Sequence, residues 1–219
     1  MALNTFKKKA KPHFDKFKIH AQDIKNKLKY GLNAPLHLER IWINPQQINS
    51  FIPKEEIKRI TGKNRQESSG MIIDGSEIRV MTPLEEDFRF RYSRERWKEN
   101  KEWHEIGVFE YMKTETNKYT DYSQAQLDER YETFDKLFEE IKKDGRIKHR
   151  QEINPSNFRE QDGILVHIGK DGELFFGGIG FHRFSIAKVL DLQIIPACIG
   201  LVDKNSIHML KKYRSPDHG

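Results

Sequence analysis

A run of glycines followed by a histidine and an arginine is the part of the sequence best suited to chemistry. It reads Gly177-Gly178-Ile179-Gly180-Phe181-His182-Arg183 and follows the apolar segment Leu174-Phe175-Phe176. Glycines between a strand and a helix let backbone N–H groups converge on an anion, and the positive end of the helix dipole favours the same charge. Arg183 would add paired donors to a phosphate, and His182 a donor or a proton. A sharp turn that exposes an arginine has the same spacing.

The elements around this run form a compact unit. Residues 164–168 are predicted to be a strand, residues 170–172 a tight turn and residues 173–176 the returning strand. A helix is predicted from residue 181 to about residue 190, and residues 194–202 form a further apolar strand. This order of elements predicts an α/β (α+β) fold.

From residue 164 to residue 202 the chain resembles the ParB/sulfiredoxin-like fold superfamily. In that superfamily a β-hairpin leads through a glycine turn into Gly-x-His-Arg or Gly-Glu-Arg-Arg, then a helix with small residues and an Ile-Pro strand. The counterparts here are Gly180-Phe181-His182-Arg183, Ala187-Lys188-Val189-Leu190 and Ile195-Pro196-Ala197. The segment Ile41-Trp42-Ile43-Asn44-Pro45 is similar to the opening strand of the same families.

The resemblance implies a nucleotide at the glycine turn, ATP as in sulfiredoxins or CTP as in ParB proteins. It identifies Gly178, Gly180, His182 and Arg183 as phosphate contacts and implies a bound Mg²⁺ ion. The function that follows is nucleotide binding, with Mg²⁺-dependent phosphoryl transfer to an unknown acceptor or NTP hydrolysis as the enzymatic form of it.

Three residues are the catalytic candidates for such a transfer, namely His182 and the two carboxylates Asp171 and Glu173. The carboxylates belong to the hairpin, which we expect to lie next to the glycine loop, where either of them could hold a metal ion or act as a base. Turn chemistry by itself also explains Asp171-Gly172. We interpret His167 as an outward-facing polar residue of its strand.

Two departures from the superfamily limit what carries over. Phe181 stands where sulfiredoxins have their nucleophilic cysteine, and the single cysteine, Cys198, is expected to be a small core residue. Sulfinic-acid reduction is therefore excluded. Residues 203–219 are too few for the helix-turn-helix domain that follows this unit in ParB proteins. A ParB-like nuclease remains as a third reading, although no carboxylate cluster for its metal is evident.

Positive charge is concentrated at one end of the chain. The formal net charge is +6, and residues 1–30 contain nine lysines, two aspartates and no glutamate or arginine. The rest of the chain is electrically balanced, whereas a nucleic-acid-binding domain usually carries its basic footprint on the domain itself. The Lys-rich residues 7–29 offer an alternative function, a non-enzymatic adaptor that binds nucleic acid, an acidic surface or a protein partner.

Residues 1–30 are interpreted as a basic arm followed by an amphipathic helix. Apolar residues recur at the spacing of one helical stripe, namely Phe14, Phe17, Ala21, Ile24 and Leu28. We expect this stripe to dock the helix on its own domain. A membrane surface or a partner is the alternative occupant of the stripe.

Residues 31–219 are interpreted as a single ParB/sulfiredoxin-like domain with a largely helical insertion at about residues 84–145. Helices are predicted near residues 92–100, 103–112 and 123–143, the last with a capping box from Ser123 to Gln126 and a stop at Gly145. Asp74-Gly75 predicts a hairpin between residues 70–73 and 78–81. Residues 40–43 are predicted to be a strand, helical turns to lie near residues 46–51 and 53–60, and the polar residues 61–69 to form a mobile loop.

Cysteine content and hydropathy indicate the expected compartment. One cysteine allows no intramolecular disulfide, and the nine histidines show no close spacing typical of zinc ligands. No apolar run approaches the length of a transmembrane segment, which is about 18 residues or more. A cytoplasmic protein in a reducing environment is the expectation.

Overall fold

The computed structural model describes Phe17, residues 19–114 and residues 121–216. Most of the basic arm lies outside these residues, as do Phe14 and the lysines up to Lys18. The helices are α1 (residues 19–30), α2 (Lys54–Thr61), α3 (Phe88–Trp97), α4 (Val108–Thr114), α5 (Gln124–Asp144), α6 (Arg150–Ile153), α7 (Phe181–Val189) and α8 (Leu210–Tyr213). The strands are β1 (Arg40–Ile43), β2 (Ser50–Phe51), β3 (Ile72–Ile73), β4 (Thr82–Pro83), β5 (Leu165–Ile168), β6 (Leu174–Phe176) and β7 (Ile195–Asp203).

The seven strands form one mixed sheet, in which β7 pairs with three other strands. The order along the sheet is β1-β7-β5-β6-β2-β4, and β3 also pairs with β7. β1 is antiparallel to the first half of β7, β3 is parallel to its last residues, and β5 is parallel to β7. The combination of helices with one mixed sheet confirms the predicted α+β class. Among the described helices, none is apolar enough over a sufficient length to cross a bilayer.

The C-terminal unit forms in the order expected from the sequence. β5 and β6 are an antiparallel hairpin, a glycine loop leads into α7, and β7 returns beside β5. Each observed boundary lies within about one residue of the expected one. The helix is followed by Asp191 at φ 51°, a left-handed conformation that aspartate tolerates better than most residues.

The two faces of the sheet are covered by different elements. On one face, Val166, Phe176 and Ile199 belong to the main apolar core together with residues of α3, α5 and α7. On the other face, Phe175 and Leu201 pack with Ile57 of α2. Because alternate residues of a strand point to opposite faces, the sheet is apolar on both sides, which explains the near-continuous apolar runs of β5, β6 and β7.

The helices of residues 84–145 enclose an aromatic cluster against α7. The predicted capping box of α5 is present, since Ser123 and Gln126 each accept a backbone hydrogen bond from the other, and Gly145 ends the helix at φ 64°. α3 begins at Phe88, earlier than predicted, because the side chain of Asp87 accepts from the Arg89 N–H and caps the helix there.

The predicted hairpin around Asp74-Gly75 is wrong. Ile72 and Ile73 pair instead with Val202 and Asp203 of β7, and Gly75 begins a short 3-10 turn. The helical turns predicted near residues 46–51 and 53–60 correspond to a 3-10 turn at Pro45–Gln47 and to α2, whereas Ser50–Phe51 is the strand β2.

The end of the polar segment 61–69, predicted to be a mobile loop, is anchored in the protein, although residues 62–64 and 67 are exposed. Ser68 and Ser69 are fully buried. The Ser69 hydroxyl donates to the carbonyl of Ile199 and accepts from the N–H of Leu38 at 2.8 Å, so the end of this segment is hydrogen-bonded to β7.

The prediction that α1 docks on the protein through its apolar residues is wrong. These residues face away from the protein, because Asp23 and Asn26 on the opposite side of the helix are the buried ones.

Candidate functional site

The loop Gly177–Gly180 joins the end of β6 to the start of α7 and is held against β5. The N–H of Gly177 donates to the carbonyl of Leu165 at 2.7 Å, and the N–H of Leu165 donates to the carbonyl of Ile179 at 3.1 Å. Gly178 and Gly180 have φ of 78° and 76°, a region that side chains disfavour. A Cβ at Gly180 would lie 2.8 Å from the Cα of Ile164, so the position combines positive φ with close approach.

The backbone of this loop presents a row of free donors. From Gly178 to Arg183, the six consecutive N–H groups donate to no acceptor within the described part of the chain. The first of them belong to the loop and the last to the first turn of α7, where no intrahelical acceptor exists. Gly180 caps the helix without a side chain, so nothing of its own covers these donors. Residues 178–180 are partly exposed, whereas Phe181 is buried.

Arg65 brings a guanidinium to the loop from the segment before β3. Its Nη1 lies 3.4 Å from the carbonyl oxygen of Gly178, and a Cβ at Gly178 would lie 2.6 Å from its Cζ. The Nε of Arg65 is buried and has no hydrogen-bond partner among the described residues. Burial and the nearby Arg89 lower the pKa of the guanidinium. The Nε–H of Arg65 is therefore a donor that no described residue uses.

Arg89 of α3 is the second cation on this side of the loop. Its guanidinium lies over the ring of Phe181, 4.9 Å from the centroid, and forms a two-pronged ion pair with Asp87. Two guanidinium groups, on Arg65 and Arg89, thus lie close enough to influence each other, with one carboxylate engaged by Arg89. Like charges in a partly buried site favour the binding of an anion between or beside them.

Arg183 lies on the opposite side of α7 and already has a partner. Its Nη2 donates to the carbonyl of Asp162 at 2.5 Å. Burial and the neighbouring Arg150 lower the pKa of Arg183 to about 10, so the side chain stays charged at neutral pH. The sequence pattern suggested an arginine free to meet a phosphate, whereas the structure shows one that ties α7 to the segment before β5.

The side chain of His182 points into the helical layer. Its ring stacks on Phe134 of α5 with centroids 3.5 Å apart, and its Nε2 lies 3.3 Å from the hydroxyl of Tyr92. Burial, Arg130 and Arg89 lower the pKa of His182 to about 3. The imidazole is therefore neutral at physiological pH, and the contribution of His182 to the loop is its backbone N–H.

His167 lies beneath the loop and is fully buried, which contradicts the outward position predicted for it. Its Nδ1 accepts from the N–H of Leu201 at 2.8 Å, so the neutral ring carries its proton on Nε2. That Nε2 has no partner among the described residues, and a Cβ at Gly177 would lie 2.9 Å from it. Burial and Arg65 lower the pKa of His167 to about 3. A buried N–H donor thus adjoins the base of the loop.

Asp171 and Glu173 are not brought to the glycine loop, which corrects the expectation that they lie next to it. The register of the hairpin pairs Val166 with Phe176 and Ile168 with Leu174, so the turn is at the end of the strands away from the loop. With about 3.3 Å per residue along a strand, the separation is about 10 Å or more. The turn packs instead on the C-terminal segment, where the N–H of Gly172 donates to the Ser206 hydroxyl at 3.1 Å.

The residues around the loop do not fit a protein-held Mg²⁺ ion. Mg²⁺ requires oxygen ligands, whereas the polar side chains against the loop include Arg65 at Gly178 and His167 at Gly177, with Arg89 over the ring of Phe181. Asp87, the carboxylate nearest to them along α3, is engaged by Arg89. Within the described ranges, no three His, Cys, Asp or Glu side chains cluster as metal ligands. Positive charge at the loop comes from arginine.

Sequence reasoning missed Arg65 and misplaced His167. Arg65 sits in a polar stretch, and its partner Gly178 is 113 residues away, so no local pattern connects them. His167 carried a usable signal, because an uninterrupted apolar run on both sides indicates a strand buried on both faces. Cys198 is buried, as expected of a core residue, and burial raises its thiol pKa to about 12.

Comparison of this chain with protein-family models, with curated proteins and with solved structures finds no match.

Proposed function

We propose that this chain binds the phosphate chain of a nucleotide, ATP or CTP, at the loop Gly177–Gly180. The observation that carries the proposal is the run of six N–H groups from Gly178 to Arg183 that find no acceptor among the described residues. Consecutive amides that open a helix form a concave donor surface, and the helix dipole adds partial positive charge at the same point. The nucleotide part of the proposal rests on the resemblance of residues 164–202 to the ParB/sulfiredoxin-like superfamily.

The charges around the loop support a polyanion rather than a single weak acid. Arg65 and Arg89 add two guanidinium groups on one side, where burial strengthens their interaction with an anion. The Nε2–H of His167, buried and without a partner among the described residues, adds a neutral donor at the base of the loop. A chain of phosphates offers acceptors to amides and to both arginines at once, which a carboxylate cannot do.

We propose binding of the nucleotide alone, without phosphoryl transfer. Transfer to an acceptor hydroxyl needs a base to position it, and Mg²⁺ normally neutralises the developing charge. Asp171 and Glu173 lie at the far end of the hairpin, and Asp87 is occupied by Arg89. The side chain of His182, with its pKa of about 3, faces Phe134 rather than the loop.

Calorimetric titration with a set of related ligands tests the proposal. We expect ATP, CTP and inorganic tripolyphosphate to bind, and adenosine and cytidine to bind at least about 10-fold more weakly, because charge-assisted hydrogen bonds carry the affinity. At a ligand concentration about 100 times Kd, stability should rise by about 2.7 kcal/mol, visible as a shift in Tm. Failure of every polyphosphate to bind, or equal binding of nucleoside and nucleotide, would contradict the proposal.

A variant distinguishes the loop from the lysines near the N-terminus as the source of affinity. The triple substitution Lys25→Gln, Lys27→Gln and Lys29→Gln removes three exposed charges from α1. If phosphates bind at the loop, the triple variant keeps the ATP affinity of the wild type within about 2-fold, since these exposed charges are screened by salt. A large loss in this variant would favour the alternative reading, an adaptor that works through the Lys-rich residues 7–29.

A further inference from the structure

The helix α1 is docked on the protein by its polar side. Asn26 donates to the carbonyls of Pro35 and Gly70 at 3.1 and 2.8 Å, and the buried carboxylate of Asp23 accepts from the His37 N–H at 2.7 Å. Arg159 closes the contact with an ion pair to Asp23 at 2.7 Å. These hydrogen bonds are directional and partly buried, so they fix the rotation of the helix about its axis.

The apolar side of the same helix faces solvent. Phe17, Ile24 and Leu28 are 73%, 59% and 84% exposed, and Ala21 between them is also exposed. On a helical wheel these four residues fall within an arc of about 60°. Leu32, 86% exposed, extends the apolar surface just beyond the helix. We call Phe17, Ala21, Ile24, Leu28 and Leu32 the apolar stripe.

Exposed lysines border the apolar stripe on both sides. Lys25 and Lys29 lie along one edge of it and Lys27 along the other, all exposed. This arrangement lets the aliphatic stems lie against an apolar layer while the ammonium groups reach a plane of negative charge. The stripe and its lysines therefore match, in geometry and in charge, a flat surface that is apolar inside and anionic at its boundary.

We propose that the apolar stripe of α1 docks this protein on the surface of a lipid bilayer that contains anionic headgroups. A groove on another protein would enclose more of the helix, but Asp23 and Asn26 already bury its other half against the body. What remains available is one shallow face, which suits a planar interface rather than a cleft. This inference is independent of the glycine loop, so each can fail without the other.

Co-sedimentation with vesicles tests the role of the apolar stripe. We expect the wild type to bind vesicles of phosphatidylcholine with phosphatidylserine, and to bind pure phosphatidylcholine far less. The double variant Ile24→Gln/Leu28→Gln should lose roughly 10-fold or more in partition coefficient, because it removes two apolar side chains from the interface. The matched control is Val80→Gln/Met81→Gln, which changes two apolar side chains that are each 49% exposed elsewhere, and it should bind as the wild type does.

The lysines are tested on the same vesicles. Each single substitution, Lys25→Gln, Lys27→Gln or Lys29→Gln, should lower the partition coefficient roughly 5-fold, and the effect should be smaller at high salt. Absence of wild-type binding to phosphatidylserine vesicles would overturn the inference. The inference would also be overturned if the lysine variants lost vesicle binding while Ile24→Gln/Leu28→Gln kept it, because a purely electrostatic surface would then explain the binding.

A site-specific label reports which face meets the lipid. Cys198 is buried with its thiol pKa raised to about 12, so it should not compete for a thiol-reactive fluorophore. Ala21→Cys places the label in the apolar stripe, and Ala125→Cys places it on an exposed position of α5. Vesicles should shift the emission to shorter wavelength at position 21 and leave position 125 unchanged. A shift at position 21 on self-association without vesicles would instead identify a second copy of the chain as the occupant.

Discussion

The guanidinium of Arg65 lies in the space that a side chain at Gly178 would enter. A Cβ built on Gly178 would be 2.6 Å from the Cζ of Arg65. The glycine at 178 leaves the room that the guanidinium of Arg65 fills, and a side chain at 178 would have to displace it. Their contact joins the segment before β3 to the loop that opens α7. It places a positive charge beside the amides of residues 178–183, which have no acceptor in the described part of the chain.

Arg65→Ala should weaken the binding of ATP or CTP roughly 10- to 150-fold, because it removes a charge-assisted donor to the phosphates. The Tm of the free protein should change little, since Arg65 gives up one long hydrogen bond of 3.4 Å. Titration calorimetry on Arg65→Ala measures the loss. Arg94→Ala, an exposed arginine of α3, is the control and should leave the affinity unchanged. Equal affinities of Arg65→Ala and wild type would remove Arg65 from the site.

Gly180→Ala should destabilise the protein more than Gly145→Ala does. Both glycines have positive φ, 76° and 64°, so each substitution carries a conformational penalty of about 1–2 kcal/mol. A Cβ at Gly145 meets nothing within 4 Å, whereas one at Gly180 lies 2.8 Å from Ile164, which adds about 1–3 kcal/mol. Urea unfolding of the two variants gives the difference directly. Equal losses of unfolding free energy in the two variants would show that the close approach of a Cβ to Ile164 does not destabilise the protein.

Acid should weaken the fold before the carboxylates titrate. Burial lowers the pKa of His167 and His182 to about 3, while the unfolded chain protonates them near its ordinary value of about 6.5. Below about pH 6.5 the unfolded state therefore binds more protons than the native state does, so the free energy of unfolding falls as the pH drops. The free energy of unfolding should fall by up to about 1.4 kcal/mol per pH unit for each of the two histidines. The test is urea unfolding between about pH 5 and pH 8.

His167→Asn separates this effect from other causes. Asparagine keeps an acceptor in the position of Nδ1 for the Leu201 N–H but has no titrating group. The pH slope of this variant should be smaller than that of the wild type by the share of one histidine. His208→Asn, at an exposed position, is the control and should keep the wild-type slope. An unchanged slope in His167→Asn would show that His167 is not kept neutral by the fold.

Asp135→Asn should cost about 1–3 kcal/mol of stability. The carboxylate of Asp135 accepts from the indole N–H groups of Trp97 and Trp103, each at 2.9 Å, and pairs with Arg96. Asparagine would turn one of its oxygens into a donor that faces an indole N–H. Thermal unfolding and the near-ultraviolet circular dichroism of the tryptophans report the change. Asp128→Asn, exposed on the same helix, should have an effect within about 0.5 kcal/mol.

Elements whose signals are local could be predicted from the sequence. α5 was recognisable because Ser123 and Gln126 cap it and Gly145 ends it, all within one continuous segment. The hairpin of β5 and β6, the loop and α7 follow each other directly, so their order in sequence is their order in space. The positive φ at Gly180 also follows from its place between a strand and a helix.

Elements whose partners are distant in the sequence could not be predicted in this way. Ile72 and Ile73 pair with β7, about 130 residues later, and Asp74-Gly75 misleads because a local hairpin fits the same residues. The inward face of α1 was missed because its burial depends on hydrogen bonds from Asn26 and Asp23, whereas hydrophobic periodicity indicates the opposite face. At the site, Arg65 depends on a contact across 113 residues.

The pairing of β7 with β1, β3 and β5 also constrains the order in which the protein can fold. The partner of β1, residues 195–198 of β7, is synthesised about 150 residues after β1 itself. The partner of β3, Val202 and Asp203, is likewise synthesised about 130 residues after β3. During translation these early segments must remain unpaired, with apolar side chains such as Ile41 and Ile43 uncovered by the sheet that finally buries them. Contacts this far apart in the chain slow folding and lengthen the exposure of aggregation-prone surface. β1 and β3 therefore reach their final pairing only after β7 has been synthesised.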